Sequence, residues 1–119
     1  MKKSSVLLII FIILISISSC SNKRQEDLIY YVNQLAEIAD DEQQILDTYT
    51  ALTGDNYQSD WDAYYALIDV IIPKSEQFIE NMEAIQPAES ELREIHEIYI
   101  KAWNAQYGAF TLLVSAIET

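Results

Sequence analysis

The apolar residues of this chain recur every three or four positions, and this spacing is the strongest constraint on its fold. Three such stripes follow one another, and each fits a single face of a helix. Gly54 and Pro87 separate them, and both residue types commonly end helices. No sustained alternation of apolar and polar residues predicts a strand. The sequence therefore predicts an all-α fold, an antiparallel three-helix bundle with short connections.

The stripes also predict which side chains face inward. The first runs from Leu28 to Leu52. The second comprises Trp61, Tyr64, Tyr65, Ile68, Ile71, Ile72, Phe78, Ile79, Met82 and Ile85. Pro73 interrupts it without changing its phase, which favours a kinked helix over a broken one. The inward face predicted for the third helix is Leu92, Ile95, Tyr99, Ala102, Gln106, Ala109 and Leu113, bordered by His96, Trp103, Phe110 and Ile117.

The first twenty residues have the order of a secretory signal peptide. Two lysines at the second and third positions precede an unbroken apolar run over residues 6–15, as in a signal peptide. That run is too short for a membrane span, which takes roughly 20 apolar residues. The segment Ile17-Ser18-Ser19-Cys20 resembles the lipobox of bacterial lipoproteins, whose usual form is Leu-Ala/Ser-Gly/Ala-Cys. Ile17 stands at the leucine position and Ser19 at the Gly/Ala position.

This resemblance implies that residues 1–19 are removed as a lipoprotein signal peptide and that the Cys20 thiol takes a diacylglyceryl group. Residues 20–24 would form the lipidated cysteine and a short tether, and residues 25–119 the bundle. The protein would be anchored in the cell membrane and face away from the cytoplasm. An ordinary signal peptide with an incidental cysteine and an uncleaved anchor are the alternatives. Either would leave a lone thiol exposed in an oxidising compartment, and lipidation removes that problem.

The charge balance excludes one class of partner. After Cys20, five basic residues face all 19 acidic ones, which makes the net charge of the mature chain −14. Such a surface repels phosphate backbones and anionic lipid headgroups. We therefore expect no nucleic-acid partner, and a membrane contact made through the lipid on Cys20. Because Cys20 is the only cysteine, packing rather than a disulfide must stabilise the fold.

No catalytic or metal-binding constellation is predicted, and we expect no enzymatic activity, metal or cofactor. His96 is the only histidine, so neither a di-iron nor a zinc ligand set is complete. We expect a structural His96, partly buried and hydrogen-bonded to a carboxylate or a backbone carbonyl; a pH-sensing or ligand-binding role is the alternative. The acidic clusters at 40–42 and 55–62 lack the pattern of a calcium loop and are typical of solvated helix faces.

Aromatic residues are the candidates for a binding surface. The chain has eight tyrosines and two tryptophans. Packing in the core and at its boundary is their default role, because tyrosine buries its ring and keeps its hydroxyl near water. The alternative is a patch that binds a partner, since Tyr and Trp are frequent at binding hot spots. The residues of this predicted surface are Trp61, Tyr64, Tyr65, His96, Tyr99 and Trp103.

The third stripe carries a second resemblance. Its pattern Pro87-x-x-x-Glu91-Leu92-x-x-Ile95-His96-x-x-Tyr99-x-x-Ala102 is similar to a segment of small helical lipoproteins of Gram-positive bacteria. Those lipoproteins have no assigned function, so the resemblance implies a location and a fold without an activity.

Two binding functions follow from these observations. The first is a lipid-anchored interaction module of the cell envelope, with an envelope protein as partner. The alternative is a sensor or immunity-type lipoprotein that takes a small ligand or a peptide in a groove between helices. An exposed apolar patch along one helix would favour the first. A cavity near His96 and Tyr99 would favour the second.

Overall fold

The computed structural model describes residues 22–119, and the helices over this range are α1 (Asn22–Thr50), α2 (Asp60–Ala66), α3 (Ile72–Glu83) and α4 (Ser90–Glu118). The predicted signal peptide over residues 1–19 and the predicted lipidation of Cys20 lie outside the described residues. A π-helical turn, Leu67–Ile71, joins α2 to α3, so residues 60–83 form one continuous middle arm. Residues 22–119 contain no strand. The predicted all-α class and three-helix arrangement are confirmed.

Contacts between the ends of the arms show that the helices run up, down and up. The Asp27 carboxylate of α1 accepts hydrogen bonds from the backbone N–H groups of Ala88 and Glu89, at 3.0 and 2.8 Å, just before α4 begins. At the other end, the Tyr64 hydroxyl of the middle arm donates to Glu118 at 3.1 Å. α1 and α4 therefore start at the same end of a bundle that measures 55 × 26 × 18 Å.

The start of α1 differs from the predicted boundary, whereas its end agrees with the predicted stop at Gly54. Residues 22–24, which lie in the predicted tether, already belong to α1. Arg24 forms an ion pair with Glu89 at 3.2 Å, a partly exposed contact of about 1 kcal/mol or less. At the other end, α1 stops at Thr50 and Gly54 has a φ of 58°. Glycine adopts this left-handed conformation without a side-chain clash.

The π-helical turn accounts for Pro73. Proline has no N–H, and its ring clashes with the carbonyl four residues earlier, which here belongs to Asp69. A π turn is wider than an α turn, so the helix accommodates the ring and continues. The middle arm is therefore not broken at Pro73, in agreement with the unchanged phase of the stripe. At its start, the Ser59 side chain caps α2 by accepting the Asp62 N–H at 3.1 Å.

Two adjoining apolar clusters form the core of the bundle. The smaller one lies at the end where α1 begins and contains Leu28, Tyr31, Ile85 and Leu92. The larger one contains Ile45, Leu67, Ile71, Phe78, Ile79, Met82, Trp103 and Phe110. Four residues of the predicted second stripe lie outside both clusters. Trp61 and Tyr65 are 63% and 56% exposed, and Tyr64 and Ile68 are partly buried.

The predicted inward face of the third helix was wrong at five of its seven positions, while Leu92 is buried and Tyr99 partly buried as predicted. α4 buries Leu92, His96, Trp103 and Phe110, most of which were assigned to the border. The residues that were expected inside but are exposed are Ile95, Ala102, Gln106, Ala109 and Leu113. α4 carries two apolar stripes, and the one with the larger rings packs on the middle arm because it buries more apolar surface.

Candidate binding groove

An apolar groove lies between α1 and α4. Each of these helices packs along α3 more closely than against the other, so a channel remains between them. Its volume is about 380 Å³, within the rough range of 300–1,000 Å³ for ligand pockets. The residues that line it include Val32, Leu35, Ala36 and Ala39 of α1, Phe78 of α3, and Ile95, Ile98, Tyr99 and Ala102 of α4.

The polar side chains that line the groove have hydrogen-bond partners inside the protein. Glu42 of α1 accepts a hydrogen bond from the Tyr99 hydroxyl and another from the Trp103 indole N–H, at 3.2 Å from Nε1. The Tyr31 hydroxyl is bonded to His96 Nδ1 at 3.1 Å. Burial, and secondarily the bond to Glu42, raise the pKa of Tyr99, so its hydroxyl stays protonated as a donor. The groove therefore presents mainly apolar surface.

His96 joins all three arms of the bundle. Its Nε2 lies 2.6 Å from the Met82 carbonyl oxygen, and because a carbonyl only accepts, Nε2 carries the hydrogen. Nδ1 then accepts from the Tyr31 hydroxyl in the neutral ring. The residue is 4% exposed, more buried than expected, and its partner is the carbonyl rather than a carboxylate. The described residues hold no cluster of three or more side chains that could bind a metal ion.

The six residues of the predicted binding surface lie in different places. Three of them form an aromatic cluster on α2, with ring centroids 5.5–6.2 Å apart: Trp61, Tyr64 and Tyr65. The bond from Tyr64 to Glu118 places this cluster at the end of the bundle away from the start of α1. His96 and Trp103 are buried, and Tyr99 is the one of the six that lines the groove.

The α1 wall of the groove was not predicted from the sequence. Val32, Leu35 and Ala39 follow the spacing of a core stripe, so the pattern indicates burial. A helix whose stripe faces a partner helix and one whose stripe lines a channel have the same periodicity. The nearest signal is the set of alanines Ala36, Ala39 and Ala102, because small side chains leave room between two helices.

Burial of Tyr31 predicts a loss of stability in alkali. Burial raises the pKa of its hydroxyl from 10.0 to about 12. The stabilisation is therefore fully present below pH 10 and is lost as the pH rises through 12, with an upper limit of about 3 kcal/mol for two pKa units. Urea unfolding measured across this interval should show the loss, and Tyr31→Phe should reduce it.

Tyr30→Phe is the matched control, because Tyr30 is an exposed neighbour on the same helix. It should leave the alkaline loss at its wild-type size. If the alkaline loss of stability is the same in Tyr31→Phe as in the wild type, the loss does not arise from the buried Tyr31 hydroxyl.

The comparison with known proteins identifies the class and then the family. The class is that of small helical lipoproteins of the bacterial envelope. The chain belongs to the EMYY-motif containing lipoprotein family, whose model matches residues 1–113. The predicted lipoprotein class is thereby confirmed. The chain contains no Glu-Met-Tyr-Tyr string, so the motif in the family's name assigns no residue here.

The other comparisons add no relative. No curated protein and no solved structure matches the chain. None of the helices over residues 22–119 has the length and apolar character needed to cross a membrane.

Proposed function

We propose that this lipoprotein is held at the outer face of the membrane by lipid on Cys20, and that its bundle binds the apolar part of a small amphiphilic ligand in the groove between α1 and α4. The groove itself carries the proposal. It has the volume of a ligand site, and the polar side chains in its lining are bonded within the protein. The protein acts by binding and has no enzymatic activity.

The lining determines which part of a ligand is recognised. Burial of apolar surface contributes about 25 cal/mol per Å², whereas a polar group moved into the groove would lose water without gaining a partner. Among residues 22–119, Glu42 is the one charged residue of the lining, and it already accepts two hydrogen bonds. Shape and apolar contact therefore select the buried part of the ligand, such as an acyl chain or an aromatic ring system.

Charge selects the part that remains in water. Exposed carboxylates adjoin the lining residues along both helices, at Asp40, Glu91 and Glu94. Together with the strongly acidic bundle, they repel an anionic headgroup. The proposed ligand is therefore neutral or cationic at its exposed end.

The neutral fluorophore N-phenyl-1-naphthylamine tests the groove. Residues 22–119 are prepared alone, and a cooperative thermal transition by circular dichroism first establishes that they fold. Titration should give a saturable rise in fluorescence at one site per chain. Ala39→Phe places a ring in the groove and should weaken binding about tenfold or more, equivalent to 1.4 kcal/mol.

Ala51→Phe is the matched control, because Ala51 lies in the turn after α1 and does not line the groove. It should bind the fluorophore as the wild type does. The related anion 8-anilinonaphthalene-1-sulfonate should bind more weakly than the neutral probe. Equal affinity in Ala39→Phe and the wild type, or no saturable binding, would refute the proposal.

A further inference from the structure

The outer face of α4 carries a continuous apolar seam. Its residues follow one another at alternating intervals of three and four, and all are exposed; the α4 seam comprises Ile95, Ile98, Ala102, Ala105, Ala109, Leu112 and Ala116. Ile98 is 67% exposed and Leu112 is 71% exposed. An average interval of 3.5 residues is the period of a coiled-coil seam. An exposed apolar patch along one helix is also a feature typical of surfaces that bind a protein.

We propose that the α4 seam pairs with the α4 seam of a second copy of this chain. Charge favours this occupant. α1 contains seven acidic and two basic residues, and the middle arm contains six acidic residues and one basic residue. By contrast, residues 95–116 of α4 contain one acidic residue, Glu97, and one basic residue, Lys101. Two strongly acidic bundles can therefore approach along α4 with the least repulsion.

The order of side-chain sizes also fits a second copy. Bulky residues stand near both ends of the seam, at Ile95, Ile98 and Leu112, and three alanines lie between them. The distance between packed helices depends on the side chains at the contact. In a parallel, in-register pair, each large residue meets its own copy and each alanine meets an alanine. In a pair with two-fold symmetry both copies present the same surface, so side chains of equal size lie opposite each other at every position of the seam.

The parallel orientation rests on the proposed lipid anchor. α1 and α4 start at the same end of the bundle, joined by Asp27 and the backbone before α4. Parallel seams therefore bring the starts of both α1 helices together, as two copies anchored in one membrane require. Confinement to a membrane raises the effective concentration, which offsets the small contact area of alanine.

The seam and the groove share one edge. Ile95, Ile98 and Ala102 belong to both, so a second copy would cover the outer side of the groove. Ala105 and Ala109 belong to the seam alone, and Ala39 belongs to the groove alone. These positions allow the two proposals to be tested separately.

Disulfide crosslinking of the full-length lipoprotein in isolated membranes tests the pair. Ala109→Cys places a thiol on the seam, and Asn104→Cys places one on an exposed position of α4 off the seam. Copper-phenanthroline oxidation should yield a dimer of twice the chain mass for Ala109→Cys. Asn104→Cys and the wild type, in which Cys20 is acylated, should give none. Adding Ala105→Glu to the Ala109→Cys variant places a charge on the seam and should abolish the dimer. Adding Asn104→Glu to the same variant places a charge off the seam and should preserve the dimer.

Each other outcome contradicts a stated part of the proposal. Absence of the Ala109→Cys dimer, or equal crosslinking at Asn104→Cys, rejects the seam as the interface. A product that contains a different protein rejects the second copy as the partner.

Ala116→Cys tests the orientation of the pair. It should also crosslink, since only parallel copies that meet at Ala109 bring these end residues together. If Ala109→Cys forms a dimer and Ala116→Cys does not, the parallel orientation is rejected. Fluorophore binding should survive Ala105→Glu, and crosslinking should survive Ala39→Phe, so failure of one proposal is distinct from failure of the other.

Discussion

Replacing Phe78 with alanine is expected to lower the free energy of unfolding by about 3–5 kcal/mol, the usual cost of removing a buried phenylalanine. Phe78 is 1% exposed, and its ring centroid lies 4.7 Å from that of Trp103. The substitution removes this ring contact and leaves a cavity between α3 and α4. Urea denaturation followed by circular dichroism measures the change.

Ile29→Ala is the control for this prediction, because Ile29 is a large apolar residue that is half-exposed on α1. Its loss should change stability by about 0.5 kcal/mol or less, as surface substitutions usually do. If the two substitutions cost the same, Phe78 does not hold the arms together as the structure indicates.

Replacing Cys20 with alanine is expected to prevent lipid attachment and signal cleavage. The reason is chemical, because alanine has no sulfur to take the diacylglyceryl group, and stable anchoring needs two or more acyl chains. Mass spectrometry of the detergent-extracted wild type should show an acylated Cys20 as the first residue. The variant should retain residues 1–19 and carry no lipid.

Ser21→Ala is the matched control for processing, since it changes the adjacent residue and keeps the thiol. It should be cleaved and acylated like the wild type. Wild-type protein from membranes that still begins at Met1, or that carries an unmodified Cys20 thiol, would contradict the proposed anchor.

The sequence predicted the helices better than their orientation. Gly54 and Pro87 mark the connections correctly, because turn and helix-stop preferences depend on a few neighbouring residues. The continuity of the middle arm through Pro73 was also readable from the phase of its stripe. The buried face of α4 could not be predicted from the sequence, since both of its stripes have helical spacing. The choice between them depends on how each packs against α3.

The groove lay beyond sequence reasoning for a related reason. Its width depends on how far α3 holds α1 and α4 apart, and this separation arises from the packing of large side chains such as Phe78 and Trp103 between the arms. The spacing of hydrophobic residues indicates that a residue faces away from bulk water, but it does not indicate which helix lies opposite that residue. The bond that joins Tyr99 to Glu42 is likewise a contact between distant parts of the chain.

Nuclear magnetic resonance locates a bound apolar ligand and so tests directly whether the groove is the ligand site. In residues 22–119 labelled with ¹³C at the alanine methyl groups, titration with N-phenyl-1-naphthylamine should shift the signals of Ala36, Ala39 and Ala102, which line the groove. The signals of Ala51 and Ala63, outside the groove, should stay in place. Shifts confined to those two alanines, or no saturable shift in the groove alanines, would contradict ligand binding in the groove.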